Sequence, residues 1–169
     1  FSNEGLLCFG PSRDAARLEA SKRFAKQFLK KHEIPTADFR VFETCEAAIE
    51  YVRKIKPPIV IKKDGLAAGK GVVIKESVKD AITAIEDLYR APGELVKRIV
   101  IEDFLEGEEL SYIALVDGLK FQAFSTSQDY KRIYEGDRGP NTGGMGAYSP
   151  VSFVDEPLEK KIIDLIVKP

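Results

Sequence analysis

"KKDGLAAGKGVVI", residues 62–74, carries three glycines and three lysines in one short run. Lysines beside glycines suit phosphate, because backbone N–H groups can approach closely where no side chain intervenes. The spacing excludes a Walker loop. Gly65 is followed by three residues, not four, before Gly69-Lys70, and the next residue is Gly71 rather than Ser or Thr. A Walker loop and a dinucleotide fingerprint both lead into a helix N-terminus. This run leads into "VVIKE", a strand-like sequence, and follows "IVIKK", another. The expected geometry is strand, glycine loop, strand. An ordinary Gly-rich hairpin with solvated lysines is the plainer alternative. Small alanines and three glycines together exceed what a turn requires. Adjacent strand residues face opposite ways, so only one of Lys62 and Lys63 should point at a ligand.

Outward from the loop, helices alternate with strands. Ser12 and Ser21 are placed to cap helices, the second running to about His32 with Phe24, Phe28 and Leu29 on one face. Thr44 opens a helix carrying Ala48, Tyr51, Val52 and Ile55, which Pro57-Pro58 should stop. Ser77 and Asp80 form a capping pair for a helix with Val78, Ala81, Ile82, Ile85 and Leu88. "RIVIEDFL", "LSYIALVDG" and "KFQAFSTS" read as strands, and residues 128–150 read as loop. A last helix should begin at Asp155 or Glu156, with Leu158, Ile162, Leu165 and Ile166 inward. The alternation indicates an α/β or α+β fold.

Composition narrows the functions. The 169 residues are 44% hydrophobic and 31% charged, with net charge −1, so no global basic field draws nucleic acid or anionic membrane. No apolar run approaches the ~20 residues of a membrane span. One histidine and two cysteines disfavour a histidine triad, a zinc set or a disulfide framework, and fit a reducing cytoplasm. The chain does not start with Met and ends within a helical pattern, so both ends are expected to continue in a longer protein.

Two further stretches carry chemistry. In "IVIEDFLEGEELS", a linker of Glu102, Asp103, Phe104 and Leu105 can offer backbone hydrogen bonds to the edge of a nucleotide base, and Glu109 a carboxylate to a ribose. A hairpin tip with solvated charges is the alternative. In "TSQDYKR" and "GPNTGGMGAYSP", Asp129, Lys131, Arg132, Asn141, Thr142, Gly143 and Gly144 suit a small polar substrate with a phosphate and an amine.

"FGPSRDAARLEASK", "IVIKKDGLAAGKGV", "IVIEDFLEGEELS", "SQDYKR" and "GPNTGGMGAYSP", in this order, resemble the phosphoribosylamine–glycine ligase family of ATP-grasp enzymes. The resemblance covers nearly the whole chain. It implies an α+β ATP-grasp fold, here the small lobe plus the start of the larger lobe, incomplete at both ends. Residues 1–39 would connect an N-terminal domain, 40–105 form the small lobe, and 106–169 begin the large lobe. The implied reaction joins glycine to 5-phosphoribosylamine, with ATP going to ADP and phosphate through a glycyl phosphate. Lys22 and Lys62 would serve the phosphates, and Gly65, Leu66, Ala67, Ala68, Gly69, Lys70 and Gly71 would form the closing loop. Residues 102–105 would hold adenine and Glu109 the ribose. Asp129, Lys131, Arg132 and the Asn141, Thr142, Gly143 and Gly144 stretch would line the pocket for phosphoribosylamine and glycine. Mg2+ or Mn2+ would be needed, with its ligands expected beyond Pro169. The parent could stand alone or be fused to other purine-pathway domains. Tyr130 stands where the family often has His, and Lys63 where it often has a small residue. The rival readings are another ATP-grasp carboxylate–amine ligase and a non-catalytic ATP-binding fragment.

Overall fold

Side-chain capping sets where the helices begin. The computed structural model describes residues 2–67, 71–91, 96–136 and 138–169. Ser21 Oγ accepts from Phe24 N and opens α2 (Lys22–Lys31), after a short α1 (Arg17–Ala20). Thr44 opens α3 (Cys45–Val52) by accepting from Ala47 N. Ser77 accepts from Asp80 N and opens α4 (Val78–Arg90). Asp155 accepts from Leu158 N and opens α5 (Glu156–Ile162). Each cap satisfies an N–H that the first helical turn leaves unpaired. α3 ends before the Pro57-Pro58 expected to stop it; turns cover the interval.

The chain divides into two compact units, Phe1–Leu105 and Glu106–Pro169. In the first, β1 (Phe39–Phe42), β2 (Ile59–Lys63), β3 (Val72–Lys75) and β4 (Ile99–Asp103) form one antiparallel sheet in the order β1-β4-β2-β3. Strand alternation gives the sheet two characters. Ile59, Ile61, Ile99 and Ile101 share one face and join Ala48, Val52, Ala81 and Ile85 of α3 and α4 in a closed core. The opposite face carries Val60 and Lys62, with Glu102 across from Val60 and Val100 across from Lys62.

In the second unit, β5 (Ala114–Asp117) pairs with β6 (Lys120–Ala123). Residues 128–150, expected as loop, are instead mostly a long antiparallel ribbon of β7 (Gln128–Tyr134) and β8 (Arg138–Tyr148). Two register shifts interrupt its pairing. Bulges of this kind break the period-2 pattern by which a strand is recognised. Glycine is required at Gly139, where φ is +85° and an added Cβ would fall 2.5 Å from the Tyr134 ring. Leu165 and Ile166, expected inward, are 42% and 49% exposed. Beyond α5 the chain passes into a π-helix (Ile163–Val167), with Lys168 N donating to Ile163 O. The wider turn shifts the apolar positions off the inward stripe. No helix among the described residues is long and apolar enough to cross a membrane.

Ile61 is fully buried at the centre of the isoleucine face. Ile61→Ala is expected to cost about 2–5 kcal/mol of stability, from lost burial plus the cavity left behind. Urea denaturation at constant m-value checks this; a loss below about 1 kcal/mol would contradict the packing described.

Candidate functional site

The polar face of the four-stranded sheet collects the lysines. α2 begins with Lys22, whose Nζ donates to Gly65 O at 2.8 Å, just after β2. Lys62, near the end of β2, points across to β4 and pairs with Glu102 Oε2 at 3.0 Å. Lys63 lies on the other face, and its N–H donates to Gly71 O at 2.8 Å, closing the β2–β3 hairpin. The alternation thus selects Lys62, not Lys63, for the face that also carries Glu102.

Asp64, which sequence reasoning passed over, ties the base of the glycine loop to the start of α2. Its Oδ1 accepts from Ser21 Oγ at 3.0 Å and from Arg23 N at 3.2 Å. Its Oδ2 lies 3.8 Å from Arg98, and its own N–H donates to Arg98 O. One carboxylate therefore caps the helix carrying Lys22 and fixes the loop that Lys22 touches. No spacing rule could have found it, because Ser21 and Asp64 lie far apart in the chain.

Gly65 has φ +99°, a conformation that favours glycine. At Gly71 the constraint is space, since an added Cβ would come within 2.5 Å of Ala67 Cβ. Leu66 is exposed. Ala68, Gly69 and Lys70 lie outside the described residues.

Lys26 is the second group that sequence reasoning missed. It sits on α2 among residues that look like an ordinary amphipathic face, yet it is buried. Its Nζ bonds Thr36 Oγ1 at 2.6 Å, Ala37 O at 3.1 Å and Glu102 Oε2 at 2.9 Å. Glu102 is buried as well, and its Oε1 has no hydrogen-bond partner among the described residues. At the expected base-binding linker, Asp103 N is already committed to Asp38 O at 3.0 Å. Phe104 and Leu105 follow with exposed apolar side chains. The Asp103 N–H is therefore already used within the sheet region.

The second unit gathers the other expected site residues along the bulged ribbon. Asp129 Oδ2 lies 3.1 Å from Lys131 Nζ, and Glu109 Oε2 lies 3.9 Å from the same nitrogen. The hydrogen bond that Lys131 donates to Asp129 raises the lysine pKa above its ordinary value, and the negative charges of Asp129 and Glu109 add to the effect. Arg132 pairs in register with Asn141. Thr142 Oγ1 donates to Lys131 O at 2.9 Å and accepts from Gly144 N at 3.1 Å, so one hydroxyl holds this part of the ribbon. Gly144 needs glycine for its φ of +132°, whereas nothing within 4 Å of an added Cβ explains glycine at Gly143. Among the described residues, no three His, Cys, Asp or Glu side chains gather to hold a metal ion.

Residues 20–169 match the family described as phosphoribosylglycinamide synthetase, ATP-grasp (A) domain. The phosphoribosylamine–glycine ligase of Pseudomonas syringae pv. tomato is 50% identical over the whole chain. The chain spans about 40% of the length of that curated relative. The crystal structure of phosphoribosylamine–glycine ligase from Thermotoga maritima superposes with a TM-score of 0.84 at 48% identity, over 95% of this chain and 41% of that one. D-alanyl-alanine synthetase A from Vibrio cholerae shares the fold at 14% identity, with a TM-score of 0.76 over 97% of this chain and 50% of that one.

Asp64→Ala should cost about 1–3 kcal/mol, since it removes a helix-cap acceptor and leaves two donors unpaired. Asp64→Asn, which keeps an acceptor oxygen, should lose less. Thermal or urea unfolding of both variants checks the order; equal stability of Asp64→Ala and the parent would contradict the anchoring role.

Proposed function

The chain belongs to the phosphoribosylglycinamide synthetase ATP-grasp (A) domain family, and on that premise we propose that it is the nucleotide-binding part of a ligase joining glycine to 5-phosphoribosylamine. The overall reaction is ATP + glycine + 5-phosphoribosylamine → ADP + phosphate + glycinamide ribonucleotide, a cytoplasmic step of purine biosynthesis. One observation supports it most directly: Lys22 and Lys62 both flank the start of the glycine loop, on a chain with no basic excess. Two lysines anchored at the base of a strand–loop–strand hairpin suit a polyphosphate.

The roles follow from charge and position. A glycine carboxylate oxygen must attack the γ-phosphorus, an anion approaching an anion, while the β–γ bridging oxygen leaves with ADP. Lys22, Lys62 and the amides of residues 65–71 offset that repulsion. The amine of phosphoribosylamine then attacks the acyl carbon and expels phosphate. Neither step needs a covalent bond to the protein. The backbone of residues 102–105 would take the purine edge, with the Phe104 and Leu105 side chains supplying apolar cover, and Glu109 would take the ribose hydroxyls. Asp129, Lys131, Arg132, Asn141, Thr142, Gly143 and Gly144 would line the pocket for glycine and phosphoribosylamine. Mg2+ or Mn2+ would supply further positive charge at the β- and γ-phosphates.

In the full-length protein, ATP hydrolysis should require glycine and phosphoribosylamine together. Dependence on a different carboxylate would move the chain to another ATP-grasp ligase. Lys62→Ala should weaken ATP binding or turnover by about 10–100-fold, equivalent to the ~1.5–3 kcal/mol of a charge-assisted contact. Unchanged nucleotide kinetics would remove Lys62 from the phosphate site.

A further inference from the structure

Two lysines share one oxygen. Lys26 Nζ and Lys62 Nζ lie 2.9 and 3.0 Å from Glu102 Oε2. They are not equivalent. The Lys26 side chain is 9% exposed and holds two further acceptors, Thr36 Oγ1 and Ala37 O. The Lys62 side chain is 27% exposed and holds no acceptor but Glu102 among the described residues. Lys26 approaches from α2, with its ammonium 5.6 Å from the Phe39 ring centroid. Lys62 approaches from the strand that leads into the glycine loop.

We propose that Lys26 is a positioning residue for Lys62: it holds the Glu102 carboxylate permanently, so that Lys62 can exchange Glu102 for a ligand phosphate. This rests on the nucleotide-binding reading above. The physical need is plain. A buried carboxylate stripped of its only cation is strongly disfavoured, so a lone Glu102–Lys62 pair would resist opening. With Lys26 in place, Glu102 keeps a cation when Lys62 turns away. The three groups sum to one positive charge, and the displaceable part of it is on Lys62. Without Lys26 the remaining pair is neutral and Lys62 is sequestered.

The test is a charge-restoration cycle in the full-length protein, with a non-hydrolysable ATP analogue as the probe and calorimetry as the readout. Lys26→Met should lower affinity about tenfold or more, the scale of a lost charge-assisted contact. Lys26→Met combined with Glu102→Gln restores the single positive charge and leaves Lys62 free, so affinity should return to near the parent value. Recovery of the melting temperature in the double variant without recovery of affinity would mark Lys26 as merely structural. Melting temperatures of the variants separate affinity from folding. If Lys26→Met does not fold, two milder variants decide: Lys26→Arg, which keeps the cation, should bind like the parent, and Lys26→Gln, which removes it but keeps a donor for Thr36 and Ala37, should bind about tenfold more weakly; equal affinity of the two overturns the proposal. Unchanged affinity in Lys26→Met also overturns it, as does a folded double variant as weak as the single one. Failure of the parent itself to bind the analogue would sink the nucleotide reading and this inference together.

Discussion

A carboxylate buried between two ammonium groups is the constraint that organises the first unit. Glu102 lies on β4 directly opposite Val60, and Lys62 sits two residues further along β2 on the same face. That placement depends wholly on register. A slip of one residue in β4 would turn Glu102 into the isoleucine face, where no cation waits, and would turn Ile101 out. The ion cluster on one face and the packed isoleucines on the other therefore specify the same pairing. α2 is bound into the arrangement twice, through Lys26 to Glu102 and through its N-terminus to Asp64. The sheet, the helix and the entrance to the glycine loop thus share a single polar framework.

What was legible in the sequence was local. Ser21, Thr44, Ser77 and Asp155 announce their helices because a cap and its recipient N–H lie within three residues. The β-branched runs 59–61 and 99–101 announce their strands because both faces of the sheet bury Ile or Val there. The β7–β8 ribbon was not legible, since its pairing is set across the chain and its register shifts break the alternation a reader looks for. The exposed Leu165 and Ile166 have a similar cause: a π-turn is invisible to a period of 3.6 residues.

At the site, the same division holds. Alternation along β2 distinguishes Lys62 from Lys63, and glycine spacing separates the loop from a Walker loop. Lys26 could not be read, because a lysine on an amphipathic helix normally reaches for water. Its acceptors at Thr36, Ala37 and Glu102 exist only once α2 has packed over the sheet. Asp64 was hidden in a different way. An Asp before Gly reads as a turn residue, and its use as an anchor for Ser21 and Arg23 appears only in three dimensions.

A strand–loop–strand cradle faces a problem that a Walker loop does not. At a helix N-terminus the attraction for phosphate comes largely from fixed backbone dipoles, which need no counter-charge when the ligand leaves. On a hairpin the loop amides lack the aligned dipole of a helix and side-chain cations add to them, and a partly buried cation without a partner is unfavourable. The chain answers with acceptors built into the same framework: Gly65 O for Lys22 and Glu102 for Lys62. On the proposed reading, these partners hold each ammonium in place while the phosphate is away. A backbone carbonyl carries no full charge and gives up its lysine easily. A carboxylate does not, and that difference is the reason proposed for a second cation on Glu102, beside Lys62, and for none on Gly65 O, beside Lys22.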